Sequence, residues 1–217
     1  MRTWNPSALN ESCGEIILND PYNQKPEKTM EFRLIYEGHL LGASKSDTRS
    51  KHKLDIRRKF HAQLKVLWEK NSALSEWPSW EINNRRRMRD RLAGHFILNG
   101  VGYVPLVWDG LGAACRLDIL MLRPEMPGQT LLRSGDIDNR LKTLFDALRI
   151  PQAGEESEKP EDGRNPFYCL LQDDKLINHL SVTTDLLLEE VNPNDVKLII
   201  TVNIWPIVHN NLNMGIF

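Results

Sequence analysis

Two carboxylates, Asp136 and Asp138, stand two residues apart in Ser134-Gly135-Asp136-Ile137-Asp138-Asn139. In extended backbone residues i and i+2 face the same side, so both acids point one way. Ionised carboxylates that close repel unless a cation or a proton lies between them. A hard divalent cation suits the pair, because Mg²⁺ takes one or two carboxylates and leaves the rest of its shell to water and substrate phosphate. Lys142 follows Asp138 by four residues, and Asp146 follows Lys142 by four more. On a helix each step is about one turn along the same face. An ammonium then falls beside the proposed metal, where it would hold a phosphate or offset charge building at phosphorus. Taken alone, Lys142 and Asp146 are better read as a surface i,i+4 pair worth about 0.3–0.5 kcal/mol. Further on, Gln172-Asp173-Asp174-Lys175 leads directly into an alternating apolar stretch. Asp174 or Asp173 would complete an oxygen donor set there, although an Asp-Asp pair by itself is ordinarily a solvated turn.

The elements that must carry these residues can be read from periodicity. Leu141, Leu144, Phe145 and Leu148 form an i, i+3, i+4, i+7 face, stopped by Pro151, with Asp138 as its natural N-cap. Strands are expected where apolar residues alternate: from Phe32 through Leu34 and Tyr36, over Arg116 to Leu122, and along Leu180, Val182 and Leu186. Val196 to Ile207 is apolar on both faces, as in a central strand. The turn Asn192-Pro193-Asn194-Asp195 predicts that the last two strands form an antiparallel hairpin. Ile56, Phe60, Leu64 and Leu67 predict a helix over about 51–68, and 81–92 suits a short, highly charged one. The class is α/β (α+β), a mixed parallel and antiparallel sheet of about four strands with helices packed on it.

Residues 1–29 are rich in Asn, Glu, Ser and Pro and read as a loosely held extension, so the packed domain spans 30–217. Residues 151–166 are acidic, polar and rich in Gly and Pro, an inserted surface loop or a disordered one. No apolar run reaches the length of a membrane helix and the first residues lack a secretory signal, so a cytoplasmic protein is expected. Cys13, Cys115 and Cys169 are odd in number and far apart, and read as reduced thiols, with Cys115 in the core. No glycine-rich phosphate loop is present, which argues against a nucleotide cofactor.

A net charge of −1 conceals a strong asymmetry. Residues 45–91 hold fourteen Lys and Arg against six Asp and Glu, whereas 150–192 hold three against ten. Two basic groups could contact phosphates. One is the i,i+4 stripe Lys53, Arg57, His61 and Lys65 with neighbouring Arg58. The other is Arg85, Arg86, Arg87, Arg89 and Arg91. Trp77 and Trp80, flanking a Pro in a polar connector, are the expected exposed aromatic pair.

Taken together, Asp136-Ile137-Asp138-Asn139, Lys142, Asp146-Ala147-Leu148 and Gln172-Asp173-Asp174-Lys175-Leu176-Ile177 resemble the signature of the RusA-type Holliday junction resolvases, the crossover junction endodeoxyribonucleases. The similarity extends more loosely from the Phe32 strand to the last strand. It implies a homodimer that uses Mg²⁺, with Mn²⁺ as a substitute, to cut branched DNA at four-way junctions during recombination and repair. The products would be a 5′-phosphate and a 3′-hydroxyl, and the setting the cytoplasm of a bacterium or of the host of a phage or mobile element. By the same resemblance Asp136, Asp138 and Asp174 are the catalytic acids and Lys142 the essential lysine, supported by Asn139 and Asp146. Two features depart from the pattern. The acidic stretch 151–166 separates the helix from the acidic pair, and Gly38-His39-Leu40-Leu41-Gly42 lacks the usual Pro and Asn. Two other readings share these residues, a branched-DNA-binding protein that does not cut and a metal nuclease for flaps, single strands or RNA.

Overall fold

The computed structural model describes residues 29–42, 47–77, 87–124, 137–189, 192 and 195–217. β1 (Met30–His39) alternates as its sequence predicts, with Leu34 and Tyr36 buried and Arg33 and Glu37 exposed. α1 (Asp47–Lys70) is longer than its apolar spacing suggests and buries Ile56, Phe60, Leu64 and Trp68. A single turn, α2 (Ser72–Ser75), follows. Of the expected charged helix only α3 (Met88–His95) lies among the described residues; 81–86 lie outside them. Then come β2 (Phe96–Leu98), β3 (Val101–Val107), β4 (Ala113–Arg123), α4 (Ile137–Leu148), β5 (Phe167–Leu171), β6 (Ile177–Leu186) and β7 (Asp195–Pro206).

The larger sheet is mixed and four-stranded, in the order β1-β7-β4-β6. β7 is central, antiparallel to β1 on one side and to β4 on the other. The last two strands do not form the expected hairpin, because β4 lies between them and pairs with β6 in parallel. Burial explains the order. β7 sets Val196, Leu198, Ile200, Val202 and Ile204 into the core, whereas none of the ten residues of β6 is buried. The strand with the continuous inward apolar row takes the centre, and the half-polar one takes the edge.

A second sheet, β2-β3-β5, was not expected from periodicity. β2 and β3 form a hairpin through Asn99 (φ 50°) and Gly100 (φ 81°), the two positive φ values that a type I′ turn requires. β5 joins β3 in parallel. α3 lies close on β3, since a Cβ at Gly102 would come within 2.4 Å of the Ala93 carbonyl oxygen. α1 packs against β1, β5 and α4 and so ties the sheets to one main core.

Trp77 is not exposed as predicted. It stacks on Trp68 at 5.8 Å, meets Trp108 at 5.4 Å and donates its indole N–H to the Leu212 carbonyl at 3.0 Å. An indole whose polar atom is satisfied internally is a core residue in a polar-looking segment. Trp80 lies outside the described residues. Cys115 and Cys169 are free and buried, and burial pushes both thiols up to about 12, which keeps them unreactive. No described helix is long and apolar enough to cross a membrane.

Candidate metal and nucleic-acid site

α4 starts at Ile137, which puts Asp138 in its first turn rather than at the cap. A carboxylate there still favours the positive end of the helix dipole. The predicted apolar face is buried, and Arg140, Thr143 and Asp146 are buried beside it. What remains exposed is one stripe, Asp138, Asn139 and Lys142. Two elements frame it. The segment after β1 presses on the start of the helix, for a Cβ at Gly42 would sit 3.2 Å from the Asn139 Cβ. On another side α4 packs against the short 3-10 turn Asp174–Leu176 that leads into β6.

That turn is shaped by Asp173, whose Oδ1 accepts the Lys175 N–H at 3.0 Å while its carbonyl accepts the Leu176 N–H at 3.2 Å. Asp173 thus acts as the cap. Asp174, at the head of the turn, is exposed. Among the described residues neither Asp138, Lys142 nor Asp174 is held in an ion pair. Asp136 lies outside the described residues, and among the described ones no three His, Cys, Asp or Glu side chains gather to hold a metal. The donors present are hard oxygens on adjacent elements, the chemistry that Mg²⁺ takes from a protein that supplies only one or two carboxylates.

No protein-family model and no curated protein matches this chain.

The expected basic stripe on α1 is occupied by the chain's own acids. Lys53 meets Asp146 at 3.1 Å and Glu155 at 3.2 Å. Arg57, only 2% exposed, donates to the carbonyls of Asp146 at 2.7 Å and Glu156 at 3.2 Å. Arg58 reaches Glu158 at 3.0 Å, and Arg164 meets the same fully buried carboxylate at 2.6 Å. The segment 151–166 is therefore an ordered strap laid along α1 rather than a free loop. Asp146, predicted to pair with Lys142, instead holds Lys53 and, at 2.6 Å, Arg149. Burial opposes ionisation of Glu155, but hydrogen bonds from Arg149 and the Gln152 N–H, with the charges of Arg149 and Lys53, hold its carboxyl below the ordinary value.

His61 is not on a solvated face either. Its Nδ1 accepts the Tyr168 N–H at 2.9 Å and its ring stacks on Phe167 at 4.3 Å. Of the remaining predicted phosphate contacts, Lys65 and Arg87 are exposed, while Arg89 is half-buried beside Asp90 at 3.7 Å. Arg85 and Arg86 lie outside the described residues. The sequence reading missed Arg149 and Glu155 as partners in these networks. The opposed charge surpluses of 45–91 and 150–192 were the available signal for the strap.

Proposed function

We propose that this protein is a Mg²⁺-dependent, structure-selective endodeoxyribonuclease that resolves four-way DNA junctions in the cytoplasm, working as a homodimer. The observation that carries the reading is the open stripe of α4. A helix buried on its other faces leaves to solvent the acid, amide and lysine of the Asp-x-Asp-Asn-x-x-Lys segment, against the turn that bears Asp174. Asp138 and Asp174, with Asp136, would hold the metal. Bound there, Mg²⁺ supplies Lewis-acid polarisation of the phosphate and a nucleophilic water at neutral pH.

The chain's own residues do the rest. Lys142, one turn from Asp138 and unpaired among the described residues, offers its ammonium to the scissile phosphate and offsets the charge that develops as the phosphorus–oxygen bond breaks. Asn139, exposed beside Asp138, presents an amide at the same opening. The buried face of α4, fastened through Asp146 to Lys53 and Arg149, keeps that stripe from shifting.

Purified protein with Mg²⁺ on a synthetic four-way junction tests this. Wild type should give paired nicks with 5′-phosphate ends. Asp138→Asn should abolish cleavage while retaining junction binding, and Lys142→Ala should slow it by about a hundredfold, the scale of losing one charge-stabilising donor. Undiminished cutting by Asp138→Asn would remove the mechanism. Retention of the junction with no products in Mg²⁺ or Mn²⁺ would identify a binding protein instead.

A further inference from the structure

The chain leaves β5 at Leu171 and begins β6 at Ile177, so five residues must make the turn that carries Asp174. Backbone bonding starts it. The Gln172 N–H donates to the Val107 carbonyl at 2.8 Å, which extends the pairing of β5 with β3 by one residue. The Gln172 side chain then clasps residue 109 at two points. Its Oε1 accepts the Asp109 N–H at 2.9 Å and its Nε2 donates to Asp109 Oδ2 at 3.2 Å. Lys175 Nζ approaches the same carboxylate oxygen at 3.5 Å. Asp109 therefore grips the turn on both sides of Asp174.

Its own footing is firm, because the 3-10 turn Asp109–Leu111 closes with the Leu111 N–H donating to the carbonyl of buried Trp108 at 2.9 Å. Exposed ion pairs such as Asp109 with Lys175 stabilise little. The two-point amide clasp is different in kind, for it fixes direction as well as distance.

We infer that Asp109 is a positioning residue that aims the Asp174 carboxylate by holding the 172–176 turn through Gln172 and Lys175. The inference rests on the reading of Asp174 as a metal ligand. Groups that orient a metal ligand typically change metal affinity by about tenfold or more when removed.

The test uses the full chain with Asp109→Ala, Asp109→Asn, Gln172→Ala and the double variant. Mn²⁺ binding is followed by the electron paramagnetic resonance of free Mn²⁺, and junction cleavage is titrated with Mg²⁺. Asp109→Ala should bind Mn²⁺ about tenfold more weakly and shift the Mg²⁺ midpoint by a similar factor, with the wild-type rate restored at saturating Mg²⁺. Asp109→Asn keeps an oxygen acceptor for the Gln172 amide and should recover most of the affinity. Gln172→Ala, which also loses the bond from the Asp109 backbone N–H, should weaken binding at least as much, and Asp109→Ala should add nothing to it. Wild-type Mn²⁺ affinity in Asp109→Ala, or independent effects in the double variant, overturns the inference. If wild type binds Mn²⁺ and Asp109→Ala weakens it while no DNA is cut, the nuclease reading falls and the positioning role stands. If wild type cuts and Asp109→Ala matches it throughout, the reverse holds, and a wild type that binds no Mn²⁺ sinks both.

Discussion

His61 illustrates how one side chain can make the molecule acid-sensitive without touching the candidate site. Its Nδ1 lone pair is committed to the Tyr168 N–H and its ring to Phe167. Protonation would forfeit that acceptor and place a charge in the core. Burial lowers the imidazole to about 4, and the charge of Lys65 adds to the effect. Glu158 acts in the opposite direction and Arg164 in the same one. Because the folded value lies below that of the unfolded chain, the unfolded state binds more protons between roughly pH 6.5 and pH 4. Stability is therefore full at neutral pH and is lost as pH falls through that window. The loss from this group alone should be about 2 kcal/mol between pH 7 and pH 5. His61→Gln keeps an acceptor for Tyr168 and cannot titrate, so its urea midpoint should change less over the same range. Parallel pH profiles for the two proteins would place the imidazole in contact with water.

At the scale of elements, the strap 151–166 and helix α1 depend on each other. Composition treats the strap alone as a segment too polar to bury itself. Its order comes from partners far away in the chain, such as Lys53, 102 residues before Glu155, which no local rule can supply. Glu158 is fully buried between Arg58 and Arg164, and removing one partner of a buried pair typically costs about 3–5 kcal/mol. Since both arginines keep some access to water, Glu158→Ala should fall at the lower end, about 3 kcal/mol by urea unfolding. It should also speed tryptic cleavage after Arg164 under native conditions. Unchanged protection would mean that the strap is held by its backbone rather than by its charges. The β2–β3 hairpin was missed for a different reason. Asn99-Gly100 is a strong local turn signal, but β3 is buried at all seven positions and shows no alternation to draw attention to it.

For the whole molecule, alternation and helical spacing were enough to place β1, α1, β4, α4, β6 and β7, because each carries an apolar period that its neighbours satisfy. Sheet order was not legible, since adjacency in sequence favours a β6–β7 hairpin and only the competition for the central position puts β4 between them. Of the candidate site, Asp138 and Lys142 could be read from spacing, and Asn139 from the resemblance alone. Asp109 could not, because it lies 63 residues before Gln172 and meets it only through the pairing of β3 with β5, which periodicity did not show. The long-range pairing of charges has a consequence for DNA binding. Lys53, Arg57, Arg58 and Arg149 are matched internally by Asp146, Glu155 and Glu158, in a chain of net charge −1. These four are then engaged within the fold and do not displace counterions, each phosphate contact contributing a slope of about −0.9 to the logarithmic salt dependence of affinity. Junction binding between 50 and 200 mM salt should accordingly be shallow, with a slope of about −4 or less in magnitude. Lys142→Ala should reduce that magnitude by about one, whereas Lys53→Ala should leave it unchanged. If Lys53→Ala flattens the salt dependence as much as Lys142→Ala does, the strap must leave α1 when DNA binds, and the basic stripe is then a phosphate-binding face uncovered by the substrate.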